Sequence, residues 1–106
     1  MLRVVQYSQL TFTARLFANQ YSNDTDKTIA AGFFRLIKGT PLVYPYTYDE
    51  MKIIIEGEFD ISDECGNKVH AIPGDVLYFP KGSIITFETP TMGLGFFVGQ
   101  RKEGEV

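Results

Sequence analysis

The chain has one cysteine, one histidine and no tryptophan among its 106 residues. A single cysteine excludes a disulfide within the chain, which fits a reducing compartment. A single histidine excludes a metal site built from two or three histidines of one chain. Cys65 sits in an acidic turn and His70 precedes a Pro-Gly turn, so we expect neither to be a catalytic residue.

The sequence also lacks a basic run, a long apolar run and the layout of a signal peptide. Its 10 basic and 13 acidic residues give a net charge of −3, and no basic stripe appears that would bind nucleic acid. Apolar runs of only a few residues predict no membrane span, and the N-terminus does not pass from charged to apolar residues. We therefore expect a cytoplasmic protein with no nucleic-acid or membrane partner.

Aromatic residues and turn formers are plentiful, with nine Phe, six Tyr, ten Gly and five Pro. No window has a sustained helical period, and short β-branched or aromatic runs end at Gly and Pro. The predicted strands are one or two within 2–17, then 28–37, the interrupted 42–48, 50–56, 58–62, 68–72, 76–79, 83–88 and 93–99, with a polar loop at 19–27. This pattern predicts one all-β domain over 1–106, a sandwich or closed barrel, with N-terminal strands and loop at 1–27, a core at 28–99 and a frayed tail at 100–106.

The segment from Tyr44 to Gly57 concentrates the chemistry of the chain, since three tyrosines, two acids and a lysine precede a run of isoleucines. An isoleucine run that ends at a glycine predicts a buried strand. Glu50 and Lys52 are two residues apart on that strand, so their side chains share a face. Two ionisable groups in such a strand call for a partner or a function.

Two sets of spacings resemble the motifs of the cupin superfamily. Glu50 precedes Gly57 by seven residues, as in the first cupin motif. Gly74, Pro80 and Gly82 keep the spacing of the second motif. The resemblance implies a double-stranded β-helix, the cupin jelly-roll barrel, whose mouth can hold one small ligand.

The usual metal ligands of that superfamily are replaced in this chain. The two histidines of the first motif fall at Tyr44 and Tyr46. The histidine of the second motif falls at Ile85, and its asparagine position falls at Thr89. Only Glu50 keeps a ligand-type side chain of the expected kind, so we expect no metal.

Within the cupins, the chain is similar to the ethanolamine-utilisation Q-type (EutQ-like) branch over 39–98. There too a Tyr-Asp-Glu segment leads into an apolar strand ending in Glu-Gly, and a Pro-Gly-Asp-Val segment matches Pro73 to Ser83. The resemblance implies a protein that is often dimeric, so a homodimer is expected. The full-length protein of that branch is linked to acetate kinase activity, but no Gly-rich phosphate loop is present here, and we expect no kinase.

The candidate catalytic residues are Glu50, Lys52 and Tyr46. By the geometry of the resembled family Glu50 points into the barrel, where it could act as a general base with Lys52 as its partner or as an electrophilic stabiliser. The Tyr46 hydroxyl could donate to a substrate carbonyl or shuttle protons. The alternatives are a structural ion pair, a Lys52 side chain that reaches the rim, and aromatic rings that simply fill the vacated metal site.

The candidate substrate-binding residues are those expected to line or face the barrel interior. They are Tyr44, Tyr48, Arg35, Tyr78, Phe87 and Phe97. Arg35 lies within an apolar strand, so it is either an anion clamp or a residue of the exposed face. The aromatic residues could equally belong to the core.

Two functions of different classes remain open. The first is a metal-independent enzyme that uses acid–base chemistry, without a redox cofactor, to dehydrate, isomerise or cyclise a small oxygenated metabolite. The second is a non-catalytic cupin that binds a small ligand or serves assembly, and it predicts a closed Glu50–Lys52 ion pair with no cavity behind it. A third option is a metal held by Glu50 with tyrosine and water ligands, a ligand set that is uncommon for divalent ions of the first transition row.

Overall fold

The computed structural model describes the backbone of residues 14–101 and the side chains from residue 20 onward. The predictions for 2–13 and 102–106 lie outside the described residues. Nine strands make up the described chain: β1 Ala14–Tyr21, β2 Ala30–Ile37, β3 Leu42–Pro45, β4 Glu50–Gly57, β5 Phe59–Asp63, β6 Lys68–Ala71, β7 Val76–Phe79, β8 Ile84–Glu88 and β9 Met92–Gly99. No helix in this part of the chain is long and apolar enough to cross a membrane.

The strands form two sheets in which every neighbouring pair is antiparallel. One sheet has the order β1-β2-β9-β4-β7 and the other the order β3-β8-β5-β6. The predicted all-β, two-sheet architecture is therefore confirmed. β3, which ends at Pro45, lies at the edge of its sheet, as expected of a strand whose proline cannot donate to a ladder.

The core lies between the two sheets because each strand alternates buried and outward residues. In β2 every second side chain is buried, including Phe34 and Leu36. Phe34 stacks on Phe59 with ring centroids 5.7 Å apart and meets Phe87 edge-on at 5.2 Å. Full burial of each such side chain contributes about 1.5–3 kcal/mol, so these aromatic contacts dominate the core.

One local prediction was wrong. β1 continues to Tyr21, where a loop was predicted from residue 19, because Tyr21 still pairs with Ala30 of β2 across a register shift at Ala18/Gln20. Pairing with a long neighbour outweighs the turn propensity of the polar residues. Of the tail predicted to fray over 100–106, the structure describes only residues 100 and 101, and Arg101 is 2% exposed.

Candidate functional site

Glu50, Lys52 and Tyr46 meet in the interior between the sheets. The Tyr46 hydroxyl donates to Oε2 of Glu50 over 2.5 Å, and Nζ of Lys52 lies 3.4 Å from the same oxygen. All three residues are 4% exposed. A phenol and an ammonium thus converge on one carboxylate oxygen away from bulk solvent.

The strand period explains why Glu50 and Lys52 point inward together. In β4, Glu50, Lys52 and Ile54 are buried, whereas Met51 and Ile55 are exposed. β4 lies between β9 and β7, so both its edges are paired and its inner face is covered by the opposite sheet. The predicted shared face of Glu50 and Lys52 is confirmed.

Glycines on β9 make room for these large inward side chains. A Cβ atom at Gly95 would lie 3.1 Å from Cγ and Cδ of Lys52, and one at Gly99 would lie 3.0 Å from Cε2 of Tyr48. Gly95 and Gly99 share the inward face with the fully buried Phe97. Sequence reasoning missed them, although glycines spaced by even numbers on one strand are the signal of a close approach to that face.

The surroundings of Lys52 are aromatic and dry. Its Nζ lies 4.4 Å from the ring centroids of both Phe34 and Phe87, and 5.5 Å from that of Phe79. Burial lowers the pKa of Lys52, because the charged form loses its hydration, and the attraction of Glu50 offsets only part of this effect. The two nearest ring faces also favour the ammonium form.

The three tyrosines form one connected group beside Glu50. Tyr44 and Tyr48 share a hydroxyl–hydroxyl hydrogen bond of 2.8 Å, and the rings of Tyr44 and Tyr46 meet edge-on at 4.7 Å. Burial, followed by the charge of Glu50, raises the pKa of Tyr46, and burial with the Tyr44 hydrogen bond raises the pKa of Tyr48. Tyr46 and Tyr48 therefore stay protonated at neutral pH and can act as donors.

The turn after β7 holds the tyrosine segment in place. The backbone N–H of Tyr46 donates to the Ser83 carbonyl over 2.9 Å, and the N–H of Gly82 donates to the Tyr46 carbonyl over 2.8 Å. Gly82 has a φ of 95°, a conformation that residues with a Cβ rarely adopt. Gly82, a glycine of the second cupin motif, thus holds Tyr46 in place, and Tyr46 occupies the position of a metal ligand of the first motif.

The structure brings most, but not all, of the predicted residues to this cluster. Tyr44 and Tyr48 belong to it, and Phe87 and Phe97 are buried in the core around it. Arg35 does not reach it, because its neighbours Phe34 and Leu36 face the core and strand alternation turns Arg35 outward.

Tyr78 also lies away from the cluster. It is 54% exposed, and its hydroxyl donates to Oδ1 of Asp49 over 3.1 Å. His70 is exposed and contacts Asp60 over 2.6 Å, and Cys65 is an exposed free thiol. That neither residue is catalytic stays a prediction.

One buried residue beside the cluster was not predicted. The guanidinium of Arg101 lies 5.9 Å from the ring centroid of Tyr48 and 5.7 Å from that of Phe97. Nη2 of Arg101 also donates to the Tyr21 hydroxyl over 3.4 Å. An arginine just after the last predicted strand carried no signal of burial, because its position depends on Tyr21 and Tyr48, which are remote in sequence.

A cleft of about 340 Å³ opens between the edges of the two sheets. Its inner walls include Ile61, Phe79 and Ile85, and its rim includes Asp63 and Ser83. Phe79 stacks on Tyr46 with ring centroids 5.2 Å apart and an interplanar angle of 12°. One aromatic ring thus separates the cleft from the residue that contacts Glu50.

The residues present do not fit the metal of the superfamily that the sequence resembles. Tyr44, Tyr46 and Ile85 stand where its histidines would be, and Oε2 of Glu50 already faces the ammonium of Lys52 at 3.4 Å. A second cation beside that ammonium would be repelled. Within 14–101, no group of three or more His, Cys, Asp or Glu residues is arranged to hold a metal ion.

Comparison with known proteins identifies the relatives of this chain. A family model described as "Ethanolamine utilisation protein EutQ" matches residues 6–99. The chain is 41% identical over 66 residues to "Acetate kinase EutQ" of Salmonella typhimurium, covering 60% of this chain and 27% of that protein. It is 32% identical over 83 residues to the protein of the same name from Clostridioides difficile, covering 78% of this chain and 49% of that protein. The chain therefore spans between about a quarter and a half of these curated relatives.

Solved structures confirm the predicted fold. A crystal structure of an ethanolamine utilization protein Q from Salmonella typhimurium is 32% identical and superposes with a TM-score of 0.71, covering 82% of this chain and 68% of that one. A cupin superfamily protein from Desulfitobacterium hafniense superposes with a TM-score of 0.70 over 92% of this chain and 84% of that one, at 17% identity. The two facing sheets are those of a cupin jelly roll.

Proposed function

Because this chain belongs to the family of the ethanolamine utilisation protein EutQ, we propose that it is a cupin enzyme that moves protons with its own side chains. The proposed reaction is the dehydration, isomerisation or cyclisation of a small oxygenated metabolite. The observation that carries this proposal is the convergence of the Tyr46 hydroxyl and the Lys52 ammonium on one oxygen of Glu50.

Glu50 supplies the base, and Tyr46 and Lys52 stabilise the charge that develops. The Glu50 carboxylate takes a proton from a carbon next to a carbonyl, and the electron pair of that C–H bond forms a C=C bond. The carbonyl π electrons move to the oxygen, and the resulting enolate accepts a hydrogen bond from the Tyr46 phenol and is stabilised by the Lys52 ammonium. In an isomerisation, the Glu50 carboxylic acid returns its proton to another carbon of a conjugated enolate and the C=O bond re-forms. In a dehydration, the enolate re-forms the C=O bond and expels a β-hydroxyl, which takes the proton from Glu50 and leaves as water.

The burial of these groups supports a functional use. A buried ion pair is seldom more stabilising than apolar residues of the same volume, so stability alone is a poor reason for Glu50 and Lys52. Titratable groups shifted by burial and by a specific charge partner are typical of active sites. The rings of Phe34 and Phe87 keep the surroundings of Lys52 apolar, which strengthens electrostatic effects on a reacting group.

The substrate needs a route to Glu50, which is 4% exposed. Phe79 lines the cleft and stacks on Tyr46, which contacts Glu50. In this proposal the Phe79 ring turns aside, and the substrate enters from the cleft. A lid of one side chain is consistent with the closed form described here.

Product formation tests the proposal. The purified protein is incubated with a panel of small hydroxy-carbonyl compounds and analysed by mass spectrometry, alongside Glu50→Gln, Tyr46→Phe and the matched control Glu56→Gln on the exposed part of β4. Glu50→Gln should lower turnover at least ~100-fold, whereas Glu56→Gln should leave it unchanged. Full activity of Glu50→Gln would refute the mechanism. Formation of acetyl phosphate from acetate and ATP would instead support the activity named for the curated relatives.

A non-catalytic cupin is the second candidate, and the closure of the cluster favours it. The Glu50–Lys52 pair is closed, and aromatic rings pack around it on several sides. This candidate predicts that no compound of the panel is converted. It also predicts that any small molecule retained by the purified protein is retained equally by Glu50→Gln.

We also propose that the protein is a homodimer that pairs through the outer face of the five-stranded sheet. Two uncharged rows cross β2, β9, β4 and β7 there: Ala31–Val98–Met51–Tyr78 and Phe33–Phe96–Ile53–Val76. Met51, Val76 and Tyr78 are 51%, 68% and 54% exposed. A two-fold axis places such a patch against its own copy, and a patch without charge avoids like-charge repulsion there.

The oligomeric state tests this interface. Sedimentation of the wild type should show a dimer, and Met51→Lys should shift it to a monomer. Ile84→Lys is the matched control, because Ile84 is 44% exposed on a strand of the other sheet. A monomeric wild type, or equal effects of the two lysines, would contradict the proposed interface.

A further inference from the structure

A second pocket, of about 330 Å³, lies at one end of the five-stranded sheet. The antiparallel order brings the start of β2, the end of β9, the start of β4 and the end of β7 to this end. The chain segments that flank these strand ends supply the lining, which includes Lys27, Thr28, Thr47, Lys81, Gln100 and Arg101. We call this the sheet-end pocket.

The sheet-end pocket is rich in groups that attract an oxyanion. Three cationic side chains line it, Lys27, Lys81 and Arg101, against the two carboxylates of Asp26 and Asp49. Asp49 is already engaged, because its Oδ1 accepts the backbone N–H of Lys81 over 2.8 Å and the Tyr78 hydroxyl. The residues that line the pocket therefore carry a net positive charge, although the net charge of the whole chain is −3.

Tyr48 connects this pocket with the interior cluster. It lines the pocket, and its hydroxyl bonds to Tyr44. A Cβ at Gly99 would lie 3.0 Å from the Tyr48 ring and 3.7 Å from Oε1 of Glu50, so the ring and the carboxylate border the same small space. Arg101 lies beside the same ring with its centre 5.9 Å from the centroid.

We propose that the sheet-end pocket binds the carboxylate or phosphate group of a small anionic metabolite, one tyrosine ring away from Glu50. Lys27 and Lys81 supply charges at its exposed side, and Arg101 supplies a charge at its buried side. Guanidinium and ammonium groups bind both kinds of oxyanion through charge-assisted hydrogen bonds. The assignment of substrate class rests on the function proposed for Glu50, whereas anion binding itself does not.

A titration followed by amide NMR tests anion binding on the intact chain. Sodium acetate and inorganic phosphate are added separately at constant ionic strength, with chloride as the balancing anion. The amides of Thr47, Lys81 and Gln100 should shift together and saturate. The anion that saturates at the lower concentration identifies the preferred group, and the absence of saturable shifts with both anions would overturn the proposal.

Paired lysine variants distinguish anion binding at this pocket from nonspecific attraction by the overall charge of the protein. The double variant Lys27→Gln/Lys81→Gln should weaken binding about tenfold, as expected for the loss of two charged contacts. The control Lys38→Gln/Lys68→Gln removes two exposed lysines elsewhere and should leave the dissociation constant unchanged. Equal weakening in both would overturn the proposal.

Glu50→Gln distinguishes this inference from the proposed function. The amide spectrum first establishes that this variant is folded, and the folded variant should bind the anion at least as tightly as the wild type, because Glu50 does not line the sheet-end pocket. Intact anion binding with no catalytic effect of Glu50→Gln would contradict only the proposed reaction. A Glu50-dependent reaction in a protein without saturable anion binding would contradict only this inference.

Discussion

Removing one partner of the Glu50–Lys52 pair should cost far more stability than removing both. At the observed N···O distance of 3.4 Å the pair attraction is about 5 kcal/mol at an effective dielectric constant of about 20. Glu50→Gln leaves an ammonium buried without a countercharge, which costs about 3–5 kcal/mol. Lys52→Met leaves the carboxylate with the Tyr46 hydrogen bond as its described partner, and we expect a loss of similar size.

The double variant Glu50→Gln/Lys52→Met should recover most of that loss. Methionine matches the length of the lysine stem and can pack against Phe34 and Phe87. Replacing a buried pair by uncharged residues is commonly neutral or stabilising by about 1–4 kcal/mol. The double variant should therefore lie within about 1 kcal/mol of the wild type or above it.

Urea unfolding followed by circular dichroism measures the four free energies of unfolding, and equal m-values confirm that all four transitions are comparable. The coupling energy of the cycle should be at least about 3 kcal/mol. Single variants that each cost less than about 1 kcal/mol, with no coupling, would show that water reaches the pair in solution. The account of a dry interior cluster would then be wrong.

The same pair predicts a pH dependence with a definite sign. Burial lowers the pKa of Lys52 below its ordinary value of 10.5, so the unfolded chain binds its proton more tightly, and stability should rise as the pH is raised toward 10. The pKa values of Tyr46 and Tyr48 are raised above 10.0, so their contribution is present below pH 10 and is lost above it. Lys52→Met should abolish the rise but keep the fall.

Three further predictions concern residues outside the ion pair. The hydrogen bond with Asp60 raises the pKa of His70 from 6.5. The wild type should therefore melt at a higher temperature than His70→Ala below pH 6.5, and this difference should shrink as the pH rises above 6.5. A difference that does not change with pH would contradict this prediction. Hydrogen bonds lower the pKa of Asp63 from 3.8, so the deficit of Asp63→Ala should persist at neutral pH and vanish as the pH falls below 3.8. A pH-independent deficit would show that this charge is not involved. Gly95→Ala places a methyl group 3.1 Å from the anchored Lys52 stem and should destabilise by about 1 kcal/mol in urea unfolding, whereas a gain in stability would show that the stem can yield.

Period-two patterns and motif spacings predicted most of the fold because they report local geometry. Alternation along β4 correctly turned Glu50 and Lys52 to one face, and the same rule could have placed Arg35 outside, since Phe34 and Leu36 are the apolar members of its strand. The second-motif spacing places a glycine at position 82, where the turn after β7 requires a backbone conformation that glycine adopts readily. Such features can be read from sequence because they depend on neighbouring residues.

The features that sequence reasoning missed depend on long-range contacts. The position of Arg101 depends on Tyr21 and on the ring of Tyr48, which lie far from it in the sequence. The room left by Gly95 becomes apparent only when β9 is paired beside β4. The filling of the space around Lys52 by aromatic rings likewise depends on how the two sheets face each other.

Deuterium incorporation from D₂O tests the central claim most directly, because transfer of a carbon-bound proton through Glu50 exchanges it with solvent. The compound that the wild type converts is incubated in D₂O with the wild type, Glu50→Gln or Glu56→Gln. It is recovered before its conversion is complete, and its deuterium content is measured by mass spectrometry. We predict incorporation in the wild type and in Glu56→Gln, and a loss of at least ~100-fold in Glu50→Gln. Equal incorporation in Glu50→Gln and the wild type would contradict the assignment of Glu50 as the base.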